Sequence, residues 1–384
     1  MTSLENLVER LNKQLTNRRQ QALFRELSPP SPYKINLAGN DYFQLRHHPK
    51  VIEAGQIAIK EFGSGSGASP LVTGFLPCHA QLLDTLLDWK QKPYGVIFNS
   101  GFVANQAIFK HIPGEKDLVL ADRLVHHSML QGMTSGKAKF LRYPHLNTYK
   151  LEELLEKHKN DYETIFVASE TVFSMDGDYP NLKEMSSLKK KYGFIWILDE
   201  AHAVGYWGAQ GQGLAHELGI SDQVDIIVGT LSKALASSGG YIITKTKEFI
   251  DYLVNFSGEL IYSTYLAPAQ AAAGEAAIKL IKGAHGERDR LKQTVGNFRV
   301  QLENIGWQSS SFSSQIIPIL IGDSKNTIEL KNMLMEKGIL VGAIRPPTVP
   351  KGTDRLRISI HSEVNESDLS EVIELLKKWK QKKK

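Results

Sequence analysis

Ile226-Ile227-Val228-Gly229-Thr230-Leu231-Ser232-Lys233, with Ser237-Ser238-Gly239-Gly240 close behind, is the stretch on which the reading of this chain turns. A short apolar run bounded by small polar residues reads as a buried strand. This one ends in a threonine, a serine and a lysine. A lysine at the mouth of a buried strand can be desolvated and can condense with an aldehyde, and the hydroxyls just before it can hold a phosphate. Alone the stretch decides little, because most lysines beside a strand are solvated surface charges. The rest of the chain has to supply the context.

At 384 residues the chain exceeds one ordinary core, so a large domain plus a smaller one is expected. Its 42% apolar and 23% charged residues are those of a globular protein. The single cysteine, Cys78, excludes a disulfide framework and points to a reducing compartment. No apolar run is long enough to span a bilayer. The first ten residues carry Glu5 and Glu9 and lack the basic-then-apolar order of a signal peptide. A cytoplasmic protein is expected, with no membrane or nucleic-acid partner. The net charge of +5 leans on the lysines of residues 377–384, which read as a solvated helix end.

Leu4, Leu7, Val8, Leu11 and Leu15 recur at helical spacing and predict an amphipathic helix, ended by Ser28-Pro29-Pro30-Ser31-Pro32. Beyond it, short apolar strands alternate with helical patterns. Val96–Phe98, Leu118–Leu120, Ile165–Val167, Phe194–Leu198, Ile226–Val228 and Tyr241–Ile243 are the clearest strands. Leu151–His158 and Leu182–Tyr192 are among the helices. Such alternation predicts an α/β fold with a mostly parallel sheet covered by helices on both faces. From about Pro268 the texture changes. A helix over 269–282 leads to strands over 315–321 and 355–360 and helices over 328–337 and 368–377. The expected division is an N-terminal helix and arm (1–45), a large cofactor-binding domain (46–267) and a smaller C-terminal α/β domain (268–384).

Ligands of an open parallel sheet bind beyond the carboxyl ends of its strands. Polar residues gather there repeatedly: Asn99-Ser100-Gly101-Phe102, then Asp122 and His126, Glu170 and Ser174, Asp199-Glu200-Ala201-His202, and Thr230, Ser232 and Lys233. Each set has a use in anchoring pyridoxal phosphate. Asp199 can keep a pyridine nitrogen protonated. His202, three residues on, can reach a ring oxygen, and His126 can cover the ring face. Ser100-Gly101-Phe102 opens a helix whose N–H groups favour a phosphate. Other readings fare worse. Asp199-Glu200-Ala201-His202 also spells a helicase box, but the chain has no G-x-x-x-x-G-K-[ST] loop. Gly63-Ser64-Gly65-Ser66-Gly67 does not complete G-x-G-x-x-G, and His126-His127 lacks a third metal ligand at suitable spacing. Arg355 and Arg357 fall on one face of a strand. That face is either solvated or carboxylate-binding.

Taken with Asn40-Asp41-Tyr42, Ser100–Asn105, Ala121–His126, Val172–Asp178, Gly229–Lys233 and Ile261–Thr264, these motifs resemble the α-oxoamine synthases, which depend on pyridoxal 5'-phosphate. The resemblance covers nearly the whole chain. Ile344–Pro350 followed by Arg355-Leu356-Arg357 is similar to the oxononanoate synthase branch. The resemblance implies a fold-type I transferase, homodimeric, with its active site at the subunit interface. It implies decarboxylative condensation of L-alanine with a pimeloyl thioester carried on coenzyme A or acyl carrier protein. A glycine C-acetyltransferase-like synthase and a non-catalytic cofactor-binding module remain the alternatives.

By the same resemblance Lys233 carries the cofactor and later acts as base, Asp199 pairs with the pyridinium and His126 stacks on the ring. Ser174 and His202 contact ring substituents, and His202 also donates a proton. Thr230, Gly101 and Phe102 hold the phosphate, while Ser263 and Thr264 reach the partner's cofactor. Asn40 and Arg357 bind the amino-acid carboxylate, and Thr348 contacts substrate. The chain departs from the family pattern twice. Gly67-Ala68-Ser69-Pro70 stands where Gly-Gly-Ser-Arg is usual, and Phe24, beside Arg25, stands where relatives place an arginine.

Overall fold

Runs of β-branched and apolar residues become strands here wherever glycine or a small polar residue bounds them. The computed structural model describes residues 2–308 and 312–383, so Met1 of the N-terminal stretch and Lys384 of the lysine run lie outside the described residues. In chain order the strands are β1 (Ile35–Asn36), β2 (Tyr94–Phe98), β3 (Leu118–Asp122), β4 (Lys139–Tyr143), β5 (Ile165–Glu170), β6 (Ile195–Asp199), β7 (Ile226–Thr230), β8 (Gly240–Thr244), β9 (Ile316–Leu320), β10 (Ile339–Leu340), β11 (Gly342–Ile344) and β12 (Arg355–Ser359). Two compact units divide the chain. One holds Asn40–Lys292 with His361–Glu363, and the other holds the described parts of Met1–Gly39, Gln293–Ile360 and Val364–Lys384.

The first unit is built on a sheet ordered β2-β8-β7-β6-β5-β3-β4. Every strand but β8 runs the same way, because β8 is antiparallel to both β2 and β7. The carboxyl ends of all the others therefore open on one edge. Ile226, Ile227 and Val228 of β7 are each at most 1% exposed although they point alternately to opposite faces. Helices must then cover both faces, as the sequence predicts. Burying side chains of that size stabilises the fold by about 1.5–3 kcal/mol each. Helices Pro77–Lys90 and Gly101–His111 pack on β2, and the second also meets β7 and β8. Helix Pro268–Gly283 packs on helices Pro49–Phe62 and Pro77–Lys90.

The second unit carries an antiparallel sheet, β11-β12-β9, and a short parallel pair, β1 with β10. Helix Ser324–Met335 packs on β10, β11 and β12. The helix expected from Leu4, Leu7, Val8, Leu11 and Leu15 runs over Ser3–Gln20, closed by a capping box of Thr2 and Glu5. A solvated face for Arg355 and Arg357 is excluded, since β12 is the central strand of its sheet and all five of its residues are buried. Arg357 donates from Nη1 to Ser359 Oγ at 2.8 Å, and Arg355 donates from Nε to the Thr353 carbonyl at 2.9 Å.

Candidate active site

Beyond the carboxyl ends of β2, β5, β6 and β7 lies a cavity of about 180 Å³. Ser100, Gly101, Phe102, Asn105, His126, Glu170, Asp199, Thr230, Ser232 and Lys233 are in its wall. Nine of the residues singled out from sequence thus meet at one place. Close packing of backbone brings them there. A Cβ on Gly240, at the start of β8, would lie 2.4 Å from Gly101 N. A Cβ on Gly101 would lie 3.2 Å from Thr230 Cβ. Two glycines therefore let the helix start and the end of β7 touch.

Ser100 caps helix Gly101–His111, its Oγ accepting from Val103 N at 3.2 Å. The N–H groups of the first turn lack partners within a helix and carry the positive end of its dipole. They face the cavity together with the hydroxyls of Thr230 and Ser232. Those hydroxyls are held by the turn that carries Lys233. Thr230 Oγ1 and Ser232 Oγ donate to the Gly239 carbonyl at 2.9 and 3.3 Å, and Leu231 N donates to the same oxygen at 3.0 Å. Ala236, at φ 50°, closes the turn in the left-handed region.

Asp199 ends β6, and both its oxygens accept hydrogen bonds. Ala201 N donates to Oδ1 and Asn105 Nδ2 to Oδ2, each at 2.8 Å. Asn105 Nδ2 also donates to Ser128 Oγ at 3.1 Å, and that oxygen lies 2.7 Å from His126 Nδ1. A continuous chain thus ties the candidate ring-stacking histidine to the candidate pyridinium partner. The protein packed around the His126 ring lowers its pKa, and Lys233 adds to this while Asp199 opposes it. Glu170, opposite Asp199 in the β5–β6 register, is pushed well above the usual carboxylate range, first by burial and then by the Asp199 charge.

Lys233 Nζ lies 2.8 Å from His202 Nε2. On its other side His202 Nδ1 lies 2.6 Å from Tyr42 Oη, and Tyr42 Oη donates to Asn40 Oδ1 at 3.4 Å. Asn40 thereby joins the Lys233 end of the site. Ser174 sits in a turn closed by Phe173 N to the Asp178 carbonyl at 2.9 Å, outside the cavity wall. His145 clamps that turn, with Nδ1 2.8 Å from Asp122 Oδ1 and Nε2 3.0 Å from Asp178 Oδ2. Ser263 and Thr264 also lie outside the wall, where Asn99 Nδ2 donates to Ser263 Oγ at 2.9 Å and to the Thr264 carbonyl at 2.8 Å.

Thr348 and Arg357 belong to the second unit. There Arg25 Nη2 donates to Thr348 Oγ1 at 3.1 Å, and Phe24 stacks under the Arg19 guanidinium at 3.9 Å. Sequence reading missed Tyr42, Asn105 and Ser128 as site residues. Asn105 and Ser128 did carry a signal, since each is a polar residue on the apolar side of its helix and is buried at 2% and 0% exposure.

The aminotransferase class I and II family model matches residues 32–376. The 8-amino-7-oxononanoate synthase of Geobacter metallireducens is 38% identical over 342 residues, covering 88% of this chain and 87% of the relative. Among solved structures, the 8-amino-7-oxononanoate synthase of Francisella tularensis superposes with a TM-score of 0.79 at 26% identity, covering 91% of this chain and 98% of that one. Serine palmitoyltransferase from S. paucimobilis, with a bound pyridoxal phosphate–myriocin aldimine, gives 0.91 at 25% identity over 99% of both chains. The sheet order, the lysine after β7 and these likenesses agree, and the chain belongs to the aminotransferase class I and II family, in the α-oxoamine synthase group with the 8-amino-7-oxononanoate synthases.

Proposed function

We propose that this chain binds pyridoxal 5'-phosphate and condenses L-alanine with a pimeloyl thioester, on coenzyme A or acyl carrier protein. The products are 8-amino-7-oxononanoate for biotin synthesis, carbon dioxide and the free thiol. The observation that carries the reading is the placing of Lys233 against His202 at a cavity that also presents Asp199 and a helix N-terminus. The residues fit the cofactor. Phosphate donors, a carboxylate and a lysine line one small cavity, and Asn105 Oδ1 is buried in its wall with no hydrogen-bond partner.

When bound, the cofactor supplies an electron sink for the charge that develops at the carbon bearing the amino group. The protein's residues do the rest. Gly101 N, Phe102 N and Thr230 hold the phosphate, Asp199 pairs with the ring nitrogen and His126 covers the ring. Ser174 and His202 contact ring substituents. Lys233 anchors the ring and exchanges protons at Nζ, and His202 takes up and returns a proton at Nε2. Asn40 and Arg357 bind the alanine carboxylate, and Thr348 contacts substrate. In a homodimer with the active site at the interface, Ser263 and Thr264 serve the partner's cofactor. Exposed Leu71, Val72 and Tyr262, at 53%, 75% and 86%, support such an interface. No helix among the described residues is long and apolar enough to cross a membrane, in keeping with a cytoplasmic enzyme.

Turnover of the holoenzyme with pimeloyl-CoA and either alanine or glycine, read by mass spectrometry of the product, tests the reading. Alanine is expected to give 8-amino-7-oxononanoate. Product from glycine with acetyl-CoA and none from alanine overturns it. Lys233→Ala is expected to lose turnover and the visible absorbance of the covalently held cofactor.

A further inference from the structure

We infer that Tyr42 is a positioning residue that fixes the tautomer of His202, so that His202 takes the proton from the Lys233 ammonium. The role of that proton rests on the reaction proposed above. The tautomer follows from donors and acceptors alone. A lysine ammonium only donates, so the Nε2 atom 2.8 Å from Lys233 Nζ must offer a lone pair. The hydrogen of the neutral ring is then on Nδ1, and it points at Tyr42 Oη 2.6 Å away. Tyr42 accepts there and passes its own hydrogen to Asn40 Oδ1 at 3.4 Å. The hydrogen bonds run in one direction, from Lys233 through His202 and Tyr42 to Asn40.

Tyr42 is built to hold this position. It is 1% exposed, and its backbone is gripped on both sides, with Tyr42 N donating to the Asn40 carbonyl and Ser362 N to the Tyr42 carbonyl. The turn that follows is closed by Asp41, whose two oxygens accept from Leu45 N and Arg46 N at 2.9 and 3.1 Å. The phenol ring tilts 50° to the imidazole with centroids 6.3 Å apart, so its oxygen meets the ring edge.

In the transfer, an Nζ–H bond of Lys233 breaks and an Nε2–H bond forms. The positive charge passes to the imidazolium, whose Nδ1–H stays on Tyr42. The amine keeps the lone pair it needs to attack an aldehyde or to remove a carbon-bound proton. A base held by a third group in this way is the general pattern of an oriented nucleophile.

The test uses Tyr42→Phe, His202→Ala and the double variant in the full-length chain. One readout is the rate at which visible absorbance grows when cofactor-stripped protein is mixed with pyridoxal phosphate. The other is kcat and KM for alanine with pimeloyl-CoA. Tyr42→Phe is expected to slow both kcat and the absorbance rate about tenfold with KM within about twofold, and His202→Ala about a hundredfold. The double variant is expected to be no slower than His202→Ala. Unchanged rates in Tyr42→Phe, or losses that multiply in the double variant, overturn the inference.

If Tyr42→Phe does not fold, Asn40→Ala decides. A slower absorbance rate supports the chain and an unchanged one overturns it. If the wild-type protein does not turn over alanine, the proposed reaction fails, and the absorbance rates still judge Tyr42.

Discussion

Lys90 Nζ and Glu200 Oε2 lie 2.6 Å apart with both side chains fully buried. Glu200 follows Asp199 directly, and its N–H donates to the Val228 carbonyl while its other oxygen accepts from Ala215 N. The last residue of helix Pro77–Lys90 thus pins the segment that carries both Asp199 and His202. Removing one member of a buried pair leaves an uncompensated charge and costs about 3–5 kcal/mol. Lys90→Met is expected to lower the thermal midpoint by many degrees and to weaken cofactor binding. Calorimetry and cofactor titration check this, and an unchanged midpoint contradicts it.

Asn105 is the only described side chain that ties Asp199 to Ser128 and so to His126. Asn105→Ala removes a charge-assisted hydrogen bond worth about 1.5–3 kcal/mol. Cofactor affinity is expected to fall about tenfold or more, with the midpoint of the stripped protein moving far less. Equilibrium titration with pyridoxal phosphate measures the first and thermal melting the second.

His145 provides a pH test. Burial opposes its charge, but the hydrogen bonds and charges of Asp122 and Asp178 outweigh burial and raise its pKa to about 10. A raised pKa means that the folded state holds the proton more tightly. Its stabilisation is full below the unfolded value near 6.5 and is lost as pH rises towards 10. The difference in midpoint between wild type and His145→Gln is expected to be large at pH 6 and to shrink at pH 10. A constant difference contradicts the clamp.

Glu170 acts in the same direction for a different reason. Burial and Asp199 keep it protonated in the fold, so stability attached to it is lost as pH rises above the usual carboxylate range. Glu170→Gln mimics the protonated form. It is expected to raise the midpoint at pH 8 relative to wild type and to change it little at pH 4. Melting curves at the two values decide.

Much of the site was legible because its residues terminate strongly patterned strands. Lys233, Thr230 and Asp199 each follow apolar runs that could be little else, and the antiparallel turn of β8 left the polar edge intact. Strand β4 was not legible. Lys139 and Arg142 sit on it because it is an edge strand, and charge on an edge guards against stray pairing while blurring the strand signal. Arg355 and Arg357 stayed undecided, since alternation alone does not say whether a polar face meets water or protein. Tyr42 was out of reach for a third reason. It stands 160 residues before His202 in sequence, and only the fold makes them neighbours.

The β2–β8 pairing sets when the cavity can exist at all. Tyr94 lies opposite Thr244 and Phe98 opposite Gly240, so the two strands pair across all the chain that holds β3 to β7. Ser100 and Gly101 are brought to Thr230 and Ser232 by contacts of the same long range. Contacts so distant in sequence form late and slow the search for the native state. The N-terminus of helix Gly101–His111 is therefore expected to meet the Thr230 and Ser232 hydroxyls late in folding. Productive capture of the cofactor during refolding is expected to report a finished sheet and not to template one.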